Sequence, residues 1–528
     1  LPIGIQSFEK LREGGYLYVD KTKYIYELVR SGAPTFLSRP RRFGKSLFLS
    51  SLRAYWEGKK ELFHGLDIER LENENADVNE PWEAHPVFYF DFNKASFTQD
   101  MALESVLDEH LLAWEQIYGV ENANEPLGAR FRQLILKANE QTGKKAVVLV
   151  DEYDKPLLEV MSDDALEEHN KAVFKGFFST LKSYDEYLKF VFLTGVTKFS
   201  KVSIFSDLNQ LKDISMRKEF AGICGITDEE IKENLMPEVE RMADENDVTP
   251  QECLSLLKKT YDGYKFHPAG EDVYNPFSLM NSLDAKELGS YWFSTGTPTF
   301  LVKMLERTKF DAKAFTQGTV FSNEAKLLDY RADNPDPVPL LYQTGYLTIK
   351  DYNKKTRIYT LGYPNEEVKY GLLDSLVPYF LGDVERQNGA LDIFSFENDI
   401  ENADLDSLRD RFISLFASLP YVSDEKPIEQ NFQNVIYIVF MLLGQFVRSE
   451  IHSAKGRADC IVETDTDVFI FEFKRDASAD EALIQIEENG YATPYLADKR
   501  NIYRIGANFD SSERTLNEWK VKPGAAEK

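Results

Sequence analysis

Cysteine is scarce. Three residues in 528, Cys224, Cys253 and Cys460, lie far apart and form no metal-spaced pair. That excludes a disulfide-stapled secreted scaffold and a thiolate zinc site, and leaves the thiols as packing residues in a reduced compartment. Long apolar runs are missing as well. The longest, Val435–Gly444, falls short of the roughly 20 residues that a spanning helix needs and reads as a buried helix. No charged-then-apolar leader opens the sequence, and no repeat or low-complexity tract is visible, so the expectation is a cytoplasmic protein. A chain of 528 residues exceeds what one hydrophobic core serves, which predicts about two to four domains.

Basic residues are also in short supply. Against 88 Asp and Glu stand 62 Lys and Arg, a net charge of −26, which argues against a surface coated for nucleic-acid binding. Their distribution is uneven. Residues 1–60 carry 12 Lys and Arg against 5 Asp and Glu, a net of +7. A local positive patch in an acidic protein suits a small polyanion such as a nucleoside triphosphate.

What is present is an alternating pattern. Thr35–Leu37, Val87–Phe92, Ala146–Val150 and Phe190–Leu193 read as strands, separated by helical stretches such as Ser46–Trp56, Ala102–Tyr118 and Ala165–Tyr184. Alternation of this kind predicts an α/β fold with a parallel sheet. From about residue 227 the pattern turns helical and acidic; residues 331–338 read as a loop; and Leu340–Leu361 reads as helix, strand, turn, strand, a winged-helix-like unit. A helical stretch over about 366–420 leads to Ser423–Pro427, a linker, and a compact α/β pattern follows.

The segment Ser38-Arg39-Pro40-Arg41-Arg42-Phe43-Gly44-Lys45-Ser46 sits between a strand and an amphipathic helix, where a phosphate loop belongs. Backbone N–H groups at the helix start face the phosphates, Lys45 reaches the β and γ phosphates, and Ser46 ligates Mg²⁺. Arg42, Gly44, Lys45 and Ser46 are thus candidate ATP-binding residues, although Arg39 occupies the position of the first glycine in G-x-x-x-x-G-K-[ST]. The apolar run Ala146–Val150 ends in Asp151-Glu152, at the strand end where α/β sheets bind ligands. Asp151 would hold Mg²⁺ and Glu152 would polarise the attacking water. Phe190–Leu193 ends in Thr194-Gly195, which places the Thr194 hydroxyl where a γ-phosphate is sensed. A metabolite kinase with the same loop is disfavoured by the paired acids after the buried strand.

A second constellation lies near the C-terminus. If Asp459–Glu463 and Val468–Glu472 form a hairpin closed by Thr464–Asp467, Asp459 falls opposite Glu472. Cross-strand Cβ atoms lie about 5 Å apart, where like charges repel. Alternation puts Lys474 on the face of Glu472 and turns Phe473 away. Two facing carboxylates make sense around Mg²⁺ or Mn²⁺. Such an ion polarises a phosphodiester and generates hydroxide, with Lys474 orienting the water. Asp459, Glu472 and Lys474 are therefore candidate catalytic residues, the two acids also metal ligands. Residues 425–528 carry 13 basic against 18 acidic residues, a poor grip for DNA or RNA.

Several stretches carry a resemblance. Pro2–Phe8, Tyr18-Val19-Asp20-Lys21-Thr22, Arg39–Ser46, Val150–Pro156, Leu193–Thr197, Tyr261-Asp262-Gly263-Tyr264, Tyr291–Thr297 and Leu361–Val368 resemble the predicted AAA-ATPase-like family of bacterial proteins with a C-terminal PD-(D/E)XK nuclease-like domain. The resemblance implies that Arg39 is usual in this phosphate loop. It also makes Glu429 a supporting acid and likens Gln485 and Tyr491 to a trailing Gln-and-Tyr helix; the proline of the motif's name is absent before Asp459. The expected domains are a P-loop AAA-ATPase-like domain over 1–225, a helical lid over 226–335, a winged-helix-like and helical connector over 336–424, and a PD-(D/E)XK nuclease-like domain over 425–528. The implied activity is ATP binding and hydrolysis coupled to a Mg²⁺- or Mn²⁺-dependent nuclease acting on DNA or RNA. The alternative is a nucleotide switch whose nuclease-like domain only binds nucleic acid or a protein.

Overall fold

The computed structural model describes residues 1–77, 80–120, 124–161, 163–198, 211–294, 320–328, 336–381, 393–417, 428–444, 448–451, 459–496 and 500–524. The predicted linker Ser423–Pro427, most of the 331–338 loop, the Gly456–Ala458 stretch and the end of the Tyr291–Thr297 motif lie outside them. The chain divides into two compact units. One comprises the described residues up to 294 with Phe321–Glu367, and the other begins its main body at Val368.

The first unit is built on a parallel sheet of β1 (Thr35–Ser38), β2 (Val87–Asp91), β3 (Ala146–Asp151), β4 (Leu188–Gly195) and β5 (Lys212–Asp213), in the order β2-β3-β4-β1-β5. Every residue of β3 is buried, which is why it reads as a continuous apolar run rather than an alternating one. The Lys45–Trp56 helix follows β1 and buries Phe48, Leu49, Leu52, Tyr55 and Trp56. Phe88 and Phe90 of β2 pack edge-on against Trp114 and Phe131 of the flanking helices, with ring centroids 4.9–5.5 Å apart. Side chains on these strands therefore fix where the helices lie, and the helices fix where the strand ends open.

Beyond the sheet come the helices Asp228–Asn234, Met236–Glu245, Pro250–Tyr261 and Pro276–Ala285, sharing a core of Ile231, Leu235, Val239, Leu257, Leu279 and Leu283. Part of the acidic run seen in the sequence is capping chemistry. Thr227 with Glu230 and Thr249 with Glu252 both form capping boxes, each such cap worth about 1 kcal/mol. The helix Val338–Gln343 and the antiparallel strands Thr348–Asn353 and Ile358–Gly362 follow the expected order of helix, strand, turn and strand.

The second unit holds a mixed five-stranded sheet. Arg448–Ile451, Cys460–Glu463 and Asp467–Arg475 pair antiparallel in succession; Asn501–Asp510 runs parallel to Asp467–Arg475; Thr515–Gly524 closes the edge. The parallel pair needs a crossover, and the Ala479–Glu488 helix provides it. Alternation divides the Asp467–Arg475 strand. Val468 and Ile470 pack with Leu483 and Ile486 on one face, while Phe471 and Phe473 meet Phe440 on the other at 4.8 and 6.0 Å. Of the apolar Val435–Gly444 run, Val435, Ile436, Ile438, Val439, Phe440, Met441, Leu442 and Leu443 lie buried on the Ile428–Leu443 helix. Among the described residues no helix is long and apolar enough to cross a membrane. All three cysteines are buried, and none forms a disulfide.

Candidate functional sites

β1 delivers the chain directly into the phosphate loop. Arg39 is 1% exposed and turns away from the loop. Its guanidinium donates to the carbonyls of Ser38, Ser215 and Phe220 at 2.8–3.0 Å and lies 3.8 Å over the Phe266 ring. A glycine could not tie these segments together, which accounts physically for arginine at this position. The next residues are gripped by distant segments: the Trp292 indole donates to the Arg41 carbonyl at 3.2 Å, and the Phe43 ring packs edge-on against Tyr264 at 4.7 Å. Gly44 caps the helix at φ +92° with nothing within 4 Å of a would-be Cβ, so backbone conformation, not space, selects glycine. Arg42 is held at φ +66° with its guanidinium 4.9 Å from the Phe277 ring.

Lys45 is buried. Its ammonium donates to the carbonyls of Arg39 and Pro40 at 3.0 and 3.1 Å and lies 3.4 Å from Glu152 Oε1. Asp151, at the end of β3, is 1% exposed. Burial, and then the charge of Glu152, push its carboxyl up to about 7, opposed by the Ser46 hydroxyl and the Lys45 ammonium. Oδ1 of Asp151 has no hydrogen-bond partner. Lys45, Ser46, Asp151 and Glu152 are thereby brought together at the carboxyl edge of the sheet. Thr194, beside Leu37 in the sheet, is 1% exposed with its hydroxyl unpartnered. A cavity of about 560 Å³ opens against Arg42, Gly44, Lys45, Ser46 and Glu152 and extends to Ile3, Ile5, Val19 and Met280.

Reasoning from the sequence missed Asp154. Its Oδ2 accepts from the backbone N–H groups of Val196 and Thr197 and from the Thr197 hydroxyl at 2.6–3.0 Å. Burial and the neighbouring Glu152 charge raise it above the ordinary carboxylate range. This carboxylate locks the turn after β4 to the turn after β3. The signal was present, since the Val150–Pro156 and Leu193–Thr197 stretches both stood out, but only the fold joins them.

In the second unit the hairpin closes as the spacing predicts. Cys460 lies opposite Phe471 and Glu463 opposite Val468, a register that sets Asp459 opposite Glu472. Asp459 Oδ2 accepts from the Phe473 N–H at 3.0 Å. Glu472 is 2% exposed; burial first and the Asp459 charge second raise it to about 7. The Lys474 ammonium donates to Glu472 Oε1 at 3.1 Å and to Gln485 Oε1, and the Gln485 amide lies 3.4 Å from the Tyr491 hydroxyl. Glu472 Oε2 is buried without a partner. Gln485 and Tyr491 thus stand behind the lysine, and Phe473 faces away. The Glu429 side chain and Arg457 lie outside what is described.

Both sites fit a divalent cation on the same ground: a buried carboxylate oxygen with nothing to bond. Among the described residues no group of three His, Cys, Asp or Glu side chains forms a ready-made metal cluster. An ion at either place would take further ligands from water and substrate, as Mg²⁺ does.

Residues 2–205 match the family described as predicted AAA-ATPase, and residues 428–519 match the PD-(D/E)XK nuclease superfamily. A relative described as an uncharacterized protein in the vnfD 5' region of Azotobacter chroococcum mcd 1 is 36% identical over 531 residues, spanning 98% of this chain and 97% of its own length. A solved structure, the Aeropyrum pernix ORC2 protein in ADPNP–ADP complexes, aligns over 68% of this chain and 88% of that one at 11% identity, with a TM-score of 0.24.

Proposed function

Since the chain belongs to the predicted AAA-ATPase-like family with a C-terminal PD-(D/E)XK nuclease-superfamily domain, we propose that it binds and hydrolyses ATP in its first unit and cleaves nucleic acid in its second. One observation supports the whole reading. Each unit holds a carboxylate of near-zero exposure with an unpartnered oxygen, a second acid beside it and a lysine within reach.

In the first unit, Lys45 and the backbone N–H groups after Gly44 would bind the β and γ phosphates, with Arg42 at the rim. Ser46 and Asp151 would hold Mg²⁺, which neutralises developing phosphate charge. Glu152 would orient the water, and Thr194 would sense the γ-phosphate. Binding of phosphates at Lys45 competes with the Glu152 carboxylate for the ammonium, which would free that acid for its role. In the second unit, Asp459 and Glu472 would hold Mg²⁺ or Mn²⁺, which supplies Lewis acidity, and Lys474 would position the attacking water against Gln485. The unit boundaries expected from the sequence, 1–225, 226–335, 336–424 and 425–528, serve as the proposal for where these tasks divide.

The acidic balance of residues 425–528 favours a second reading, a nucleotide switch whose nuclease-like domain binds without cutting. A paired assay separates the two. Wild-type chain should hydrolyse Mg-ATP, and Glu152→Gln should bind ATP without turning it over. Metal-dependent cleavage of DNA or RNA, lost in Asp459→Asn, supports catalysis; no cleavage of either polymer in Mg²⁺ or Mn²⁺ leaves the binding module.

A further inference from the structure

Three motifs of the sequence have no part in the chemistry above: Tyr261–Tyr264, the Tyr291-Trp292 pair and Leu361–Val368. In the fold they converge on the phosphate loop, and Trp292 also lines the cavity beside Lys45. The Trp292 indole donates to the Arg41 carbonyl at 3.2 Å, and the Trp292 backbone N–H donates to Glu367 Oε1 at 2.7 Å. Glu367 is 5% exposed and its Oε2 has no partner. Gly263 leaves no room for a Cβ beside the Pro364 carbonyl, which would lie at 2.3 Å, and Asn365 donates to the Asp262 carbonyl at 2.8 Å. A short relay results: loop carbonyl, indole, backbone amide, carboxylate.

The far end of that relay is a helix start. Glu367 sits in the first turn of the Glu366–Leu381 helix, which leaves the first unit and carries the chain into the second. Among the described residues, none of this helix lines the cavity beside Lys45. We propose that Trp292 and Glu367 are positioning residues that fix the phosphate loop and tie its state to the first turn of the Glu366–Leu381 helix. The proposal rests on nucleotide binding at Lys45. Any adjustment of the Arg41 carbonyl when phosphates occupy the loop pulls on the indole, and the same tryptophan holds Glu367. Both contacts lie in buried or half-buried surroundings, where loss of a partner is costly.

Hydrogen exchange on the full chain, with and without Mg-ATP analogue, tests this, with analogue affinity measured on the same samples. Wild type should gain protection over 366–381 although the ligand does not touch it. Trp292→Phe keeps an aromatic ring but removes the indole donor; it should bind the analogue roughly two- to ten-fold more weakly and lose the protection even at saturating ligand. Glu367→Gln keeps an acceptor for the Trp292 amide and should retain both properties, whereas Glu367→Ala should lose them. Saturated wild type without any change over 366–381 overturns the relay, as does Trp292→Phe with wild-type protection. Absence of analogue binding to wild type instead defeats the nucleotide reading beneath it.

Discussion

Asp151 and Glu472 belong to different units, yet their surroundings are nearly the same. Both are almost fully buried, both are raised to about 7 by burial first and a neighbouring carboxylate second, and both keep an oxygen without a partner. The lysines differ. Lys45 is held by two loop carbonyls and reaches the second acid, Glu152, rather than Asp151. Lys474 bonds to the buried carboxylate itself and to Gln485. In the first site the cation is poised for an anion arriving from outside. In the second it neutralises the very group that a metal would need.

Substitution of the lysines should expose that difference most strongly. Lys45→Ala removes a buried charge-assisted contact to phosphate, so ATP affinity should fall about a hundredfold or more. Calorimetry returning wild-type affinity would falsify the phosphate assignment. Lys474→Met removes a competitor instead of a ligand. Mn²⁺ affinity at the second site should therefore rise, by roughly tenfold, while cleavage of nucleic acid falls. Weaker Mn²⁺ binding in this variant would mean that the lysine supports the ion and that the two sites are alike after all.

A smaller effect follows from what the sites share. In the folded chain each raised carboxyl stays protonated to about 7, whereas in the unfolded chain it ionises near the ordinary carboxylate value of about 4. The stability this contributes is complete below that ordinary value and is lost as pH rises through about 7. Asp151→Asn and Glu472→Gln remove the cost of ionising a buried group. Without metal, each should melt a few degrees above wild type at pH 8 and show no such gain at pH 4. Melting curves that shift equally at both pH values would separate the effect from these carboxyls.

How much of this could be read in the sequence depends on distance along the chain. The Asp459–Glu472 pairing was legible because a four-residue closure at Thr464–Asp467 and strict alternation leave one register. Gly44-Lys45-Ser46 and the buried β3 run ending in Asp151 were legible for the same local reasons. Arg39 was not: its partners at Ser215, Phe220 and Phe266 are far away in sequence. Asp154 and Trp292 likewise act through contacts to Thr197, Arg41 and Glu367 that no periodicity encodes. Local pattern named the groups proposed to do chemistry, and tertiary packing supplied the groups that hold them in place.

A divalent ion should bind at Asp151 with Ser46 and between Asp459 and Glu472, and Mn²⁺-dependent melting of the full chain measures this directly. An ion that binds only the folded arrangement should stabilise wild type, by about 2.7 kcal/mol when its concentration is a hundred times the dissociation constant. Asp459→Asn should remove the increment belonging to the second unit and leave the one that Asp151→Asn removes, and the double variant should show neither. An Asp459→Asn chain that keeps the entire wild-type gain in Mn²⁺ contradicts the second site, and the nuclease reading falls with it.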